Sequence, residues 1–213
     1  MEVKLIDIMG SDLTVVNSAR VSFNKFSEIM TRGDEKLIKY LAAHNHVTPF
    51  FHPQIQFRIR MPIFIARQWF KHTVGFSRNE ISRRYISSKP ECWIPTSLRE
   101  KDENKKQGSR DTFEDKPLEE KLLGIMQDAI ELGLSTYDQL IESGVAPEIA
   151  RSVLPQSMYT EFIETGSLAA YARLYKLRTT PDAQKEIRDY AEEIGKVMSD
   201  KFPISWAALT QTA

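Results

Sequence analysis

The stretch Gln54 to Met61 alternates without a break, with Ile55, Phe57, Ile59 and Met61 on one face of an extended chain and Gln54, Gln56, Arg58 and Arg60 on the other. A period of two over that length requires a strand with one buried face, so the chain must build a sheet and cover one side of it. Pro62 stops the strand, and the apolar Ile63-Phe64-Ile65-Ala66 behind it starts a helix.

The covering layer is predicted from helical periods. Leu37, Ile38, Leu41 and Ala42 form a stripe on a helix opening at Gly33-Asp34. Leu118 to Glu142 reads as a long helix with Leu122, Ile125, Met126, Ala129, Ile130, Leu134, Tyr137 and Ile141 as its apolar face, ended by Gly144. Pro147 starts another helix, Ser167 caps one that runs to Arg178, and Asp182 caps the last. Val3 to Ile8 and Met158 to Phe162 read as further strands, and Asp12 stands where it caps the helix after the first of them. The expected fold is α/β (α+β): a single domain over 1–213, with a mixed or antiparallel sheet flanked by helices. Residues 99–116, REKDENKKQGSRDTFEDK, read as an exposed charged connection. No Gly-x-Gly-x-x-Gly occurs, so a dinucleotide fold of the Rossmann type is not expected.

Charge excludes some classes of function. The 29 basic and 29 acidic residues cancel, which argues against a general nucleic-acid binder. Cys92, the one cysteine, excludes an internal disulfide and a cysteine-cluster metal site, and suits a reducing cytoplasm; between Glu91 and Trp93 it reads as a small filler rather than a nucleophile. No apolar run reaches membrane-spanning length and the start has no secretory pattern, so an intracellular protein is expected.

Chemistry is concentrated in Arg67 to Tyr85, RQWFKHTVGFSRNEISRRY. Arg67, Lys71, Arg78, Arg83 and Arg84 gather positive charge, and His72 is its group titrating near neutrality. Ser77, Asn79, Glu80 and Ser82 add acceptors, a mixture that suits a nucleotide better than bare phosphate. A plain solvated basic face is the competing reading, although Trp69, Phe70, Val74, Phe76 and Ile81 imply that the cations lie against a packed wall. Ser82 and Arg84, two apart on extended chain, are expected to converge on one ligand. His44, His46 and His52 invite a metal reading, but the run supplies no carboxylate or thiolate and lacks zinc-helix spacing. On residue type alone Ser22 is an ordinary helix-end hydroxyl, and Arg178 a cation at a helix C-terminus.

Taken together, these motifs resemble the flavin-dependent thymidylate synthases. Asn79-Glu80-Ile81-Ser82-Arg83-Arg84-Tyr85 matches the second half of their signature and Arg67-Gln68-Trp69-Phe70 its approach. Ala19-Arg20-Val21-Ser22-Phe23, His46-x-Thr48-Pro49-Phe50-x-His52, Ala150-Arg151-x-x-Leu154-Pro155 and Leu177-Arg178 with Asp182-Ala183-Gln184 follow the family's order. Lys71-His72-Thr73 replaces the usual Arg-His-Arg, and eight residues rather than seven separate Thr73 from Ser82, as in phage-like forms. The resemblance implies conversion of dUMP to dTMP with methylenetetrahydrofolate as carbon donor, FAD as cofactor and NADPH as reductant, in a cytoplasmic homotetramer whose sites combine several chains. It places Gln68, Lys71, Glu80, Ser82, Arg83, Arg84, Arg151 and Arg178 on the nucleotide side, with Arg178 polarising the uracil ring. Ser22, His46, Thr48, Lys71, His72, Thr73 and Glu80 fall on the flavin side, together with Ser167 and Arg173 where the family has asparagines. No metal ligand, nucleic acid or membrane is implied. A nucleotide-binding regulatory module without redox chemistry and a metal-dependent nucleotide hydrolase are the alternatives.

Overall fold

The computed structural model describes residues 1–86, 88–102, 108–110 and 112–211. In chain order the elements are β1 (Glu2–Met9), α1 (Asp12–Arg20), α2 (Arg32–Ala43), β2 (Gln54–Pro62), α3 (Ile63–Trp69), β3 (Phe76–Glu80), α4 (Lys116–Glu142), α5 (Pro147–Ala150), β4 (Tyr159–Ser167), α6 (Leu168–Arg178), α7 (Lys185–Lys201) and α8 (Pro203–Thr210). The strands form one sheet in the order β1-β2-β4-β3. Its centre is antiparallel: Gln56 bonds Thr165 and the Ile63 amide bonds the Met158 carbonyl, while Ser167 bonds Gly75 and Ile81 bonds Glu161. The α/β class and the sheet type agree with expectation.

Backbone contacts divide the chain into two compact units. The first comprises Met1–Ile59, Phe70–Asn79 and Phe162–Ala213, and the second Arg60–Trp69 and Glu80–Glu161. In the first, the alternation of β2 is realised: Ile55, Phe57 and Ile59 are wholly buried, and Arg58 between them is exposed. Phe57 meets Tyr171 of α6 edge-on, and Tyr171 in turn meets Phe76 of β3. α6 is consequently buried on nearly every side along Leu168–Leu174. Ser167 caps it as expected, its hydroxyl accepting the Ala170 amide at 3.2 Å.

Two expected caps are corrected. Asp12 does not cap α1, whose N-cap is Ser11; its buried carboxylate accepts the amides of Ile204 and Ser205 at 3.0 and 2.9 Å, satisfying the start of α8 instead. Those two amides have no intrahelical acceptor, and a carboxylate against them is a charge-assisted bond that one more solvent-facing cap would not provide. Asp182 likewise does not cap the last helix, because α7 begins at Lys185 with Gln184 at its N-cap. The Thr180 hydroxyl engages the Asp182 carboxylate inside a turn and lowers its pKa.

In the second unit, α4 departs from its expected burial. Ile130 and Tyr137 are buried, but Ile125, Met126 and Ala129 are exposed, as are Leu118 at 41% and Leu132 at 68%. The 27-residue helix carries two apolar seams, and Leu118, Ile125 and Leu132 at seven-residue spacing form the uncovered one. At the expected connection, Leu98 donates to Glu119, Arg99 to Ser109 and the Glu114 amide to Glu100. Residues 103–107 and 111 of that stretch lie outside the described residues.

Candidate functional site

The first unit contains a groove of 1130 Å³. The end of α1 and the following turn supply Arg20, Ser22 and Lys25, α2 supplies Tyr40, and the chain after α2 supplies His46, Thr48 and His52. Two separated stretches, the turn after α1 and the chain after α2, thus bring Ser22, His46 and Thr48 to one wall. The backbone explains how: Asn24 and Asn45 take left-handed conformations, at φ +53° and +55°, that end the turn and α2 and swing the chain back. Pro49 and Phe50 are buried and anchor the second stretch, leaving His46 and Thr48 exposed beside them.

Two features of this wall escaped the sequence reading. Tyr40 stacks on His44 at 4.0 Å between ring centroids and meets His46 edge-on at 6.1 Å, so the histidines belong to an aromatic cluster. His44 Nδ1 is also tied to the Tyr40 carbonyl at 2.9 Å. Among the described residues no group of three or more His, Cys, Asp or Glu could hold a metal. Arg20 pairs with the buried Asp34 at 2.5 Å, which fixes it against α2. The i to i+4 spacing of Tyr40 and His44 was a readable signal for the stacking; nothing in the spacing marked the Arg20 pair.

Also in the first unit, the loop Lys71 to Gly75 lies along α6. Gly75, at φ +81°, approaches so closely that a Cβ would stand 3.0 Å from the Ser167 hydroxyl and from the Ala170 methyl. Arg173 donates to the Val74 carbonyl at 2.5 Å, and Arg178 Nε donates to His72 Nε2 at 2.9 Å. Lys71 and Thr73 are exposed, and His72 is half-buried. Ser167 is 1% exposed with its hydroxyl engaged as a cap, whereas Arg173 is exposed. Arg78, counted above among the anion-seeking cations, is turned inward: it pairs with the wholly buried Glu164 and lies over the rings of Phe70 and Phe76. That carboxylate neutralises it, and no local sequence signal links the two.

The second unit holds the other half of the signature. Thr160 donates to Glu80 at 2.5 Å, aligning one carboxylate oxygen. Ser82 to Tyr85 is a turn closed by the Tyr85 amide on the Ser82 carbonyl at 3.0 Å, which corrects the expectation of extended chain. Within that turn the Arg84 amide and Nε both approach the Ser82 hydroxyl, at 3.3 and 3.5 Å. Arg83 instead bonds the Ser88 carbonyl. Gln68 is half-buried near the end of α3, and Arg151 is exposed where α5 gives way to a 3-10 turn. Cys92 is half-buried on a bridge to Met158, and burial raises its thiol pKa against the opposing effects of Ser157 and Arg83. Such a thiol is not activated.

Residues 4–204 match the family described as thymidylate synthase complementing protein, Thy1. The chain belongs to this family. It is similar to the flavin-dependent thymidylate synthase of Thermus thermophilus, 39% identical over 98% of this chain and 75% of the relative. It resembles that of Thermosipho africanus to the same identity, over 99% of this chain and 91% of the relative. Among solved structures it is similar to a UMP/dUMP methylase, PolB from Streptomyces cacaoi, bound with 5-Br dUMP: TM-score 0.86, 31% identity, 98% of this chain and 94% of that one. No helix among the described residues is long and apolar enough to cross a membrane.

Proposed function

We propose that this Thy1 chain is a flavin-dependent thymidylate synthase, converting dUMP to dTMP with carbon from methylenetetrahydrofolate and reducing power from NADPH by way of FAD. The observation that carries this reading is the groove joining Ser22, in the turn after α1, to His46 and Thr48, in the chain after α2, two stretches that chain order alone keeps apart. Its lining includes hydroxyls, imidazoles, the Tyr40 ring and the Lys25 ammonium, beside Arg20 held by Asp34, and no carboxylate among the lining residues, a donor set that fits an anionic, flat-ringed cofactor. Its volume of 1130 Å³ also exceeds the roughly 300–1,000 Å³ of an ordinary small-ligand pocket.

Ser22, His46 and Thr48 would hold FAD there, with Lys71, Thr73, Glu80 and Arg173 as further members of the flavin side; the Ser167 hydroxyl, buried and engaged in capping α6, supports the wall rather than the cofactor. FAD, when bound, supplies the hydride chemistry. The protein's residues position the substrate. Ser82 and Arg84, already in contact, give the nucleotide a hydroxyl and a guanidinium from one turn, with Gln68, Lys71, Glu80, Arg83 and Arg151 as the remaining partners. Arg178 stays charged at any working pH, although burial lowers its pKa. Its guanidinium at the pyrimidine N3 and carbonyl oxygens stabilises negative charge there and makes C5 electron-rich, so no attacking thiol is required. Lys71 and Thr73, in place of two arginines, leave a point charge and an uncharged hydroxyl where a planar fork is usual. The assembly proposed is a cytoplasmic homotetramer, supported by the uncovered Leu118, Ile125 and Leu132 seam of α4.

Adding FAD to purified protein tests the reading. A flavin absorbance band that co-elutes with the chain, and that His46→Ala loses more readily than it loses dUMP binding, is expected. A colourless protein at saturating FAD that still binds dUMP would leave a nucleotide-binding regulatory module instead.

A further inference from the structure

The bond between Arg178 Nε and His72 Nε2 constrains both partners. A guanidinium carries N–H donors and no acceptor, so the histidine nitrogen facing it at 2.9 Å must present a lone pair. The ring proton therefore sits on Nδ1, and the imidazole is neutral. Protonating Nε2 would set N–H against N–H and add a positive charge beside three others, those of Arg178, Arg78 and Arg173. Glu164, beside Arg78, is already paired with that cation. Burial first, then these cations, hold the His72 pKa at about 4.

The histidine is also held from behind. Its loop is laid along α6 at three successive levels: Gly75 against Ser167 and Ala170, Val74 on Arg173, and His72 on Arg178. A ring anchored in this way fixes the plane of the guanidinium, because Nε lies at the base of the fork and sets where both Nη groups lie.

We propose that His72 is a positioning residue for Arg178, a neutral acceptor that aims the guanidinium at the pyrimidine, rather than a cation contacting the flavin phosphates. The inference rests on the reading of Arg178 as the group that polarises the base, and gives it a specific partner. It also accounts for a loop that keeps His72 while its two neighbours, Lys71 and Thr73, differ from the usual arginines: the contact needs the ring nitrogen and neither neighbouring charge.

The test compares His72→Phe, which keeps a ring without an acceptor, with His72→Gln, which restores one, and with Arg178→Ala, all in FAD-loaded enzyme. His72→Phe is expected to lower kcat about 10- to 100-fold, the scale for a misaimed group, with KM for dUMP within a few-fold and FAD retained. His72→Gln recovers most of that loss. In the unmodified protein the 15N shifts of His72 report a neutral Nδ1–H ring that does not titrate between about pH 5.5 and 8, the range in which an unperturbed imidazole would. Unchanged kcat in folded His72→Phe while Arg178→Ala is inactive would overturn this inference alone. A loss in His72→Phe that saturating FAD restores, or a ring protonated at Nε2, overturns it as well. If Arg178→Ala turns over normally, the reading of Arg178 fails first and the inference with it. Should His72→Phe not fold, the glutamine variant and the 15N spectrum decide on the same terms.

Discussion

Arg78 and Glu164 form an ion pair across 86 positions of sequence, with the carboxylate wholly buried and the guanidinium over the rings of Phe70 and Phe76. Removing one partner strands a charge in the core. Arg78→Ala should destabilise the protein by about 3–5 kcal/mol, the usual penalty for a broken buried pair. Replacing both partners together, with Arg78→Met and Glu164→Leu, should cost far less. Denaturant unfolding checks this; a single-variant loss below about 1 kcal/mol would show that Glu164 is not held as a charge.

The Ser82 turn leads to a binding prediction. Arg84→Ala should weaken dUMP affinity by about 2 kcal/mol, or roughly 30-fold, because one charge-assisted partner is removed. FAD retention should not change. Isothermal titration of the folded variant measures both, and unchanged dUMP affinity would remove Arg84 from the nucleotide side.

What the sequence disclosed and what it hid follow from the range of the interactions. The buried face of β2 was readable because Ile55, Phe57 and Ile59 obey a local period, and Ser167 because a cap acts within three residues. The grouping of Ser22, His46 and Thr48 was legible only through family resemblance, since the turns that join them depend on left-handed Asn24 and Asn45. Asp12 was misread because the amides it accepts lie 192 and 193 positions away, on a helix whose start shows no cap of its own. Arg78 was misread for the same reason: a cation in a basic run looks available until a distant carboxylate is found beneath it. The Ser82 turn was missed because Ser-Arg-Arg-Tyr contains no glycine or proline to announce it.

The uncovered seam of α4 predicts its own occupant. If the proposed homotetramer forms through this seam, Ile125→Glu or Leu132→Glu should shift it to smaller species, because a charge cannot be buried unpaired in a subunit contact. Light scattering after size exclusion reports the mass. Unmodified protein that is not a tetramer, or a tetramer unaltered by both changes, would contradict this assignment of the seam.

Cys92 offers a contrast with synthases that attack the pyrimidine through a cysteine. Its thiol pKa is raised by burial, and it sits on a bridge between two segments. Cys92→Ala should therefore keep dTMP formation, at a stability cost of about 1 kcal/mol for a small cavity. Activity lost in a folded, FAD-loaded variant would reopen covalent catalysis.

The most direct measurement follows the electrons. If NADPH supplies the two electrons of the new methyl group, the folate that gives up its carbon is not itself oxidised and must leave as tetrahydrofolate. Purified protein given FAD, dUMP, methylenetetrahydrofolate and NADPH should form one dTMP and one tetrahydrofolate for each NADPH consumed, and none without FAD. Formation of dihydrofolate, or dTMP appearing in the absence of flavin and NADPH, would contradict a flavin-dependent synthase.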